Sequence, residues 1–167
     1  SARKVIKMTA SDRYLFLIRH AEAEPDKGTI PDSERVLTPK GITQIHLQGD
    51  RLAEIKPQKI ITSHAIRARD TALRLAPFWS ISPDAVKQET LLYEAQAAHE
   101  LLIWLQTQNN RLRSLLLVGH NPLLNELLEI LTACPSPGFP KGAVAGLRLN
   151  SKRWQDLQSG SAELCFF

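Results

Sequence analysis

The sequence lacks the features that mark several protein classes. It has only two cysteines in 167 residues, too few for a disulfide framework and not spaced as metal ligands, which predicts a reducing, cytoplasmic compartment. No apolar run reaches the roughly 18 residues that a membrane span requires, and no apolar segment follows the basic first residues as in a secretory signal. Aromatic residues make up 6% and are not interleaved with basic ones, so neither a membrane nor nucleic acid is expected as a partner.

What the sequence does contain is the composition of a globular protein, with 43% hydrophobic and 23% charged residues. The length predicts one domain over residues 1–167, in which residues 1–12 form a flexible N-terminal extension. The 21 basic residues give a net charge of +4 against 17 acidic ones, which would suit an anionic substrate, nucleic acid or no particular ligand. The positions of the arginines are therefore more informative than their number.

Short apolar runs alternate with segments of helical periodicity along most of the chain. Strands are predicted at 14–18, 59–63, 85–90, 114–118, 143–149 and 161–167. Helices are predicted at 38–57, with Thr38 as the cap and Pro39 in the first position, and at 65–78, 97–108 and 123–131; residues 91–95 connect two elements without a defined class. This alternation implies right-handed crossovers. The expected fold is a three-layer α/β/α domain with a mainly parallel sheet and antiparallel additions at the C-terminal edge.

Three of the predicted strands end in polar side chains that can take part in chemistry: Arg19-His20, Ser63-His64 and His120-Asn121, with Arg67 one turn into the helix after the second. Ligands of open α/β sheets bind at the carboxyl ends of the strands. The predicted fold therefore brings His20, His120 and Arg67 toward one edge of the sheet.

The residue types at this edge favour an anionic ligand. An arginine presents planar, paired donors that match phosphate oxygens, and the backbone N–H groups after Asn121, expected to cap the next helix, add partial positive charge. No glycine-rich nucleotide-binding pattern occurs, so no cofactor is expected. The rival interpretation is a metal site formed by His20, His64 and His120, but the neighbouring arginines would repel a divalent cation.

These segments together resemble the histidine phosphatase superfamily, which has the phosphoglycerate-mutase-like fold. Four motifs carry the resemblance, in order along the chain: Leu15-Phe-Leu-Ile-Arg-His-Ala-Glu22, Leu37-Thr-Pro-Lys-Gly-Ile42, Ser63-His-Ala-Ile-Arg-Ala-Arg-Asp-Thr71 and Val118-Gly-His-Asn-Pro122. The short length, the Arg-His-Ala-Glu segment and Leu92-Tyr-Glu-Ala95 are most similar to the SixA-type phosphohistidine phosphatases. The resemblance covers about residues 14–132.

The resemblance implies a role for each matched residue. His20 would be the nucleophile that takes the phosphoryl group on a ring nitrogen, and Arg19, Arg67 and His120 would hold the phosphoryl oxygens. Neighbouring arginines would lower the pKa of His20 and keep it neutral for attack. Glu94 stands where the acid of the family is often found, although some SixA-type members lack it.

Three further side chains keep alternative interpretations. Ser63 would offer a hydroxyl to the phosphate or cap the next helix, and Asn121 would bind substrate as well as cap. His64 replaces the proline common at that position in the family, and would influence substrate choice or merely fill space.

The sequence therefore predicts a monomeric, metal-independent phosphatase that works through a phosphohistidine at His20. Its expected partner is a protein carrying phosphohistidine, as the resemblance to the SixA type implies. A chain near the minimal size of the fold also has no long insertion to enclose a small substrate. A small-molecule phosphomonoesterase and a non-catalytic phospho-ligand-binding module are the alternatives.

Overall fold

The computed structural model describes residues 6–167, and its strands form one sheet. The strands are β1 (Arg13–Arg19), β2 (Lys59–Thr62), β3 (Lys87–Gln88), β4 (Ser114–Gly119), β5 (Val144–Leu149) and β6 (Ala162–Phe166). Their order across the sheet is β3-β2-β4-β1-β5-β6. β1 to β4 run parallel, whereas β5 pairs antiparallel with β1, and β6 pairs antiparallel with β5. The predicted mainly parallel sheet with antiparallel C-terminal additions is confirmed.

The helices lie between the strands, as the alternating pattern predicted. They are α1 (Pro39–Leu52), α2 (Ile66–Leu75), α3 (Leu91–Glu94), α4 (Ala98–Leu105) and α5 (Leu123–Thr132). The predicted cap of α1 is confirmed, because the Thr38 hydroxyl accepts a hydrogen bond from the Gly41 amide at 3.0 Å. Within residues 6–167, no helix has the length and apolar character needed to cross a membrane.

Both faces of the sheet are covered, which makes the domain three-layered. Successive residues of β1 point to opposite faces, as in any strand. Leu15 and Leu17 pack with α4 and α5 in one hydrophobic cluster, whereas Phe16 and Ile18 pack with α1 and α2 in the other. All four side chains are buried. The continuous apolar run of β1 is explained by this burial on two sides.

Parallel pairing aligns the carboxyl ends of β1, β2 and β4 at one edge of the sheet. Arg19 lies opposite Gly119, and Thr62 lies opposite Val118. The backbone bonds continue one residue further, because the His20 amide donates to the Gly119 carbonyl at 3.0 Å and the Ser63 amide donates to the Val118 carbonyl at 2.9 Å. Each polar residue that follows a strand is thus fixed by the sheet itself.

Several predicted boundaries differ from the structure. The strand predicted at 85–90 is reduced to Lys87–Gln88, because a 3-10 turn occupies Pro83–Ala85 before it and α3 begins at Leu91 after it. Residues 91–94 form the short α3, and the helix predicted at 65–78 changes to a 3-10 turn at Ala76–Trp79, where Pro77 lacks an N–H donor. Of the predicted N-terminal extension, residues 1–5 lie outside the described residues, and Ile6 and Met8 pack against the core.

Candidate active site

Two histidines lie side by side at the carboxyl edge of the sheet. His20 follows β1 and His120 follows β4, and their ring centroids are 5.1 Å apart. Both are almost completely buried, with exposed fractions of 5% and 8%. The neighbouring strands therefore bring together two residues that are 100 positions apart in the sequence, as the strand-end pattern predicted.

The hydrogen bonds of His20 define which ring nitrogen is free to react. Its Nδ1 lies 2.7 Å from the carbonyl oxygen of Ala21. Because a carbonyl oxygen only accepts, Nδ1 carries the proton and Nε2 carries the lone pair. The Nε–H of Arg67 donates to this Nε2 at 3.3 Å. The ring nitrogen that carries the lone pair of a neutral His20 thus faces the guanidinium.

The surroundings of both histidines disfavour their charged forms. Burial is the main cause that lowers the pKa of His20 to about 4; the bond to Ala21 opposes it, and the charges of Arg67, Arg19 and Lys141 add to it. Burial also lowers the pKa of His120 to about 3, helped by its proximity to His20 and Arg67. Both rings are therefore neutral at pH 7, and a neutral His20 can act as a nucleophile.

Arg67 lies in the first turn of α2, its guanidinium contacts His20, and only 5% of the residue is exposed. Its Nη1 donates to the backbone carbonyl of Asp32 at 2.7 Å, and its Nη2 donates to the Asp32 carboxylate at 2.9 Å. Arginine has five N–H donors, so the bonds to Asp32 and His20 leave others for phosphoryl oxygens. Arg67 is therefore fixed in place without being saturated.

Asp32 accepts hydrogen bonds from three different segments of the chain. Its Oδ2 accepts from the Tyr93 hydroxyl at 2.7 Å and from Arg67, and its Oδ1 accepts from Arg35 Nη2 at 2.8 Å. Burial alone would raise the pKa of Asp32, but the hydrogen bonds from Tyr93, Arg35 and Arg67 outweigh it and hold the pKa well below its usual range. The Asp32 carboxylate is therefore ionised.

The remaining strand-end side chains surround the histidines. The Ser63 hydroxyl lies 2.8 Å from His120 Nε2, and it also accepts from the Ala65 amide at 3.2 Å. The Asn121 side-chain amide donates to the Phe139 carbonyl at 2.8 Å, and Arg19 Nη1 donates to the same oxygen at 3.0 Å. The prediction that Asn121 caps α5 was wrong, because Pro122 is the residue before the helix and no side chain caps it.

The residue of α3 that contacts the histidines is Tyr93 and not the predicted Glu94. The Tyr93 ring lies 5.2 Å from the His120 ring and 5.0 Å from the His64 ring. Glu94, the last residue of α3, is exposed, and its carboxylate forms no hydrogen bond within residues 6–167. Successive helical residues point about 100° apart, so Tyr93 and Glu94 do not share a direction, and the Tyr93 ring is the one that lies against the histidines.

Sequence reasoning did not identify Asp32, Arg35, Tyr93 or Lys141. Asp32 and Arg35 lie in a polar loop, where nothing in the residue pattern distinguishes them from solvated side chains. The one available signal was Tyr93, which lies within the segment Leu92-Tyr-Glu-Ala95 already quoted for its resemblance. No group of three or more metal-ligating side chains of His, Cys, Asp or Glu lies together in the described part of the chain.

Comparison with known proteins agrees with this geometry. The family model of the histidine phosphatase superfamily (branch 1) matches residues 15–98, which is half of the chain. Within a 61-residue stretch the chain is 44% identical to the mitochondrial serine/threonine-protein phosphatase PGAM5 of Xenopus laevis, a match that spans 35% of this chain and only 22% of that protein.

Solved structures match almost the whole chain. A proposed phosphohistidine phosphatase SixA from Nakamurella multipartitia is 26% identical with a TM-score of 0.73, over 93% of this chain and 94% of that one. A protein histidine phosphatase SixA complexed with tungstate is 22% identical with a TM-score of 0.76, over 90% of this chain and 93% of that one. This chain is therefore a phosphatase-family protein with a SixA-type fold, and it belongs to the histidine phosphatase superfamily, branch 1.

Proposed function

We propose that the protein hydrolyses phosphohistidine on other proteins through a covalent phosphohistidine at its own His20. The observation that carries the proposal is the tautomer of His20: Nδ1 donates to the Ala21 carbonyl, which leaves the Nε2 lone pair beside Arg67 in a buried, cationic site. A site that only bound phosphate would need its arginines but would not need an imidazole held in its nucleophilic form.

The proposed reaction has two displacements. In the first, the hydrogen bond that Arg67 Nε–H donates moves from His20 Nε2 to a phosphoryl oxygen, Nε2 attacks phosphorus, a P–N bond forms, and the bond to the leaving group breaks with its electron pair. In the second, water attacks the same phosphorus, the P–N bond breaks, and His20 and inorganic phosphate are released. Arg67, Arg19 and His120 would hold the phosphoryl oxygens, because phosphoryl transfer depends mainly on positioning and on neutralisation of negative charge.

Arg19, Ser63 and Asn121 would each contribute to phosphoryl binding in a different way. Arg19 Nη1 is engaged with the Phe139 carbonyl, and its remaining N–H donors would serve the phosphoryl group. Ser63 would act through its hydrogen bond to His120, which orients that ring. Asn121 would act through Phe139, whose carbonyl it shares with Arg19, and so would support substrate binding indirectly.

The leaving group needs a proton unless it departs readily without one. Glu94 is the proposed donor in the first step and the proposed base toward water in the second, and its exposed position would require the substrate to meet it at the mouth of the site. An imidazole leaving group can instead take its proton from solvent. Glu94 is accordingly proposed to matter more for phosphate esters than for phosphohistidine.

The proposed substrate class rests on the SixA-type fold and on the position of the site. The family places it among phosphatases, and the structural similarity to SixA proteins extends over most of both chains. Between β2 and β4 the described chain contains β3 and three α-helices of at most 10 residues, which supports an open site that a protein surface could approach. A small phosphate ester is the alternative substrate, and a binding module without turnover is the alternative function.

The test compares rates on a phosphohistidine protein, a phosphohistidine peptide and para-nitrophenyl phosphate, each with and without EDTA. We expect turnover in EDTA, the highest rate on the phosphohistidine protein, and loss of about 10⁴-fold or more in His20→Ala. Glu94→Gln is expected to slow the ester more than phosphohistidine. Activity that survives His20→Ala would exclude the mechanism, activity abolished by EDTA would support a metal site, and a preference for the ester would favour a small-molecule phosphatase.

A further inference from the structure

We propose that Asp32 is a positioning residue of this site: its carboxylate holds the Arg67 guanidinium in the orientation that places Nε–H against His20 Nε2. This proposal rests on the proposed role of Arg67 in holding the phosphoryl group. Asp32 lies 12 positions after His20 in a polar loop, and nothing in its local sequence marks it as part of the site. The structure alone brings it to Arg67.

The first step of the argument is the number and direction of the contacts. Asp32 engages Arg67 twice, through its backbone carbonyl on Nη1 at 2.7 Å and through Oδ2 on Nη2 at 2.9 Å. Two acceptors on one residue fix both the position and the plane of a guanidinium. The third hydrogen bond that the Arg67 guanidinium donates runs from its Nε to His20 Nε2, at 3.3 Å. A rotation that broke the Asp32 bonds would also move Nε–H away from the nucleophile.

The second step is that Asp32 is itself held from both sides. Arg35 donates to Oδ1 through Nε at 3.0 Å and Nη2 at 2.8 Å, and the Tyr93 hydroxyl donates to Oδ2 at 2.7 Å. The Tyr93 ring in turn contacts the His120 ring, with centroids 5.2 Å apart. One carboxylate therefore connects Arg67 and, through Tyr93, His120, which are two of the three groups proposed to hold the phosphoryl oxygens.

The third step excludes a role as a proton donor. Both carboxylate oxygens of Asp32 accept hydrogen bonds from cationic or hydroxyl donors, so the ionised form is favoured and no proton is available for a leaving group. The negative charge also lies beside Arg67, and it reduces the positive potential that an incoming phosphate meets. Asp32 thus improves orientation at the expense of simple electrostatic attraction for the anion.

This opposition predicts a result that a purely structural role would not give. In Asp32→Asn the side chain keeps its size but loses its charge, so the site becomes more positive while Arg67 becomes less well oriented. We expect kcat to fall about 10- to 100-fold, because misplaced groups stabilise the transition state poorly. The affinity for inorganic phosphate is expected to stay within about threefold or to increase, because a neighbouring negative charge has been removed.

The experiment uses the full chain and measures binding as well as turnover. Calorimetry gives the affinities for inorganic phosphate and for vanadate, which adopts the five-coordinate geometry of a transferring phosphoryl group, and 15N NMR monitors His20 Nε2. Asp32→Asn is expected to weaken vanadate about 10-fold and to shift the His20 Nε2 resonance. Tyr93→Phe removes one hydrogen bond to Asp32. It is expected to change the vanadate affinity and the His20 Nε2 resonance in the same direction by a smaller amount.

The matched control is Asp70→Asn, because Asp70 also pairs with an arginine of α2, Arg74, at 3.2 Å but on an exposed part of the helix. It should leave kcat, vanadate affinity and the His20 resonance unchanged. Parallel losses of phosphate and vanadate affinity in Asp32→Asn, or an unchanged His20 resonance, would overturn the proposal. Absence of turnover in the wild-type protein would contradict the proposed function instead, while the vanadate and NMR measurements would still decide the role of Asp32.

Discussion

Two buried arginines lie at opposite ends of the same sheet. Arg13 is the first residue of β1, and Arg67 lies just beyond the carboxyl end of β2; their exposed fractions are 4% and 5%. Each buries a cation, and this costs free energy of folding unless the charge is paired or hydrogen-bonded. The difference in their partners separates a structural arginine from one that can bind a ligand.

Every hydrogen bond of the Arg13 side chain goes to a backbone carbonyl, and its Nε has no partner within residues 6–167. Its guanidinium donates to the carbonyl oxygens of Leu112, Asn110 and Lys152, the last at 2.8 Å, and lies 5.3 Å from the centroid of the buried Trp154 ring. These bonds tie the start of β1 to the turn before β4 and to the segment after β5. Burial, with a contribution from Arg113, lowers the pKa of Arg13. Its role is to hold chain segments together.

Arg67 has partners that a substrate can join or modify. One is the lone pair of a histidine, and the other is a carboxylate that is itself held by Arg35 and Tyr93. The comparison teaches that burial of a charged side chain does not by itself indicate function. Both guanidinium groups make three hydrogen bonds, so what distinguishes Arg67 is the type of its partners, a histidine ring nitrogen and a carboxylate.

Between the two arginines, the largest effect on activity is expected from removing the guanidinium of Arg67. Arg67→Met keeps the apolar stem and should reduce kcat/KM for para-nitrophenyl phosphate by about 10²- to 10³-fold, as when a fixed donor to a developing anion is lost. The free energy of unfolding should change by no more than about 1 kcal/mol, because the cost of burying the charge disappears and Asp32 keeps Arg35 and Tyr93. A large loss of stability with activity retained would reverse the comparison.

Arg13→Met is the matched variant at the other end of the sheet. It should lower the free energy of unfolding in urea by about 3 kcal/mol, because the Asn110 and Lys152 carbonyls lose a charged donor. The Leu112 carbonyl keeps its bond from Trp154 Nε1. kcat/KM for para-nitrophenyl phosphate should stay within about twofold, since the site lies at the opposite edge. A loss of activity as large as that of Arg67→Met would contradict the division of roles.

A smaller effect on the free energy of unfolding is expected from pH. In this comparison it should come from the two histidines at the carboxyl ends of the strands and not from Arg13. The pKa values of His20 and His120 are lowered from 6.5 to about 4 and about 3, so between pH 6.5 and 4 the unfolded chain binds protons that the folded state does not. Stability should therefore fall as the pH decreases through this window, by at most about 1.4 kcal/mol per pH unit for each histidine, and the contribution of His20 should level off below pH 4.

His120→Asn provides the control for this pH dependence. It removes one of the two titrating rings, and the slope of unfolding free energy against pH should decrease by about half in urea titrations between pH 6.5 and 4.5. Asp32 does not interfere, because the ordinary pKa of its carboxyl, 3.8, lies below this range. An unchanged slope would mean that His120 is not held neutral by the fold.

Much of the fold and half of the site could be predicted from residue patterns. The apolar runs of β1, β2 and β4 end in His20, Ser63 and His120, and parallel strands end at one edge, so their proximity needed no coordinates. Boundaries were less predictable where the pattern is weak, as in the two-residue β3. The predicted cap at Asn121 was wrong because the helix begins after Pro122; the Asn121 side-chain nitrogen donates to Phe139 over 18 positions, and its Oδ1 accepts no hydrogen bond within residues 6–167.

The contacts that surround the histidines depended on long-range packing. Tyr93 and Glu94 are equally plausible from their neighbours in sequence, and only the rotation of α3 decides which one faces His120. Asp32 meets Arg67 over 35 positions and Tyr93 over 61 positions. Loop residues carry no periodicity that would report such contacts, so no reading of the local pattern could have found them.

The sequence by itself determined the order of the elements, the parallel sheet and the presence of His20, His120 and Arg67 at one edge. Hydrophobic periodicity is a local property of the chain, and right-handed crossovers between strands make those strands parallel. Only the tertiary structure decided which nitrogen of His20 is free, which donors of Arg67 are occupied and which carboxylate accompanies it. The bonds of Arg67 join segments distant in the chain, and the bond from His20 to the adjacent Ala21 carbonyl depends on a side-chain orientation that no pattern of residue types specifies.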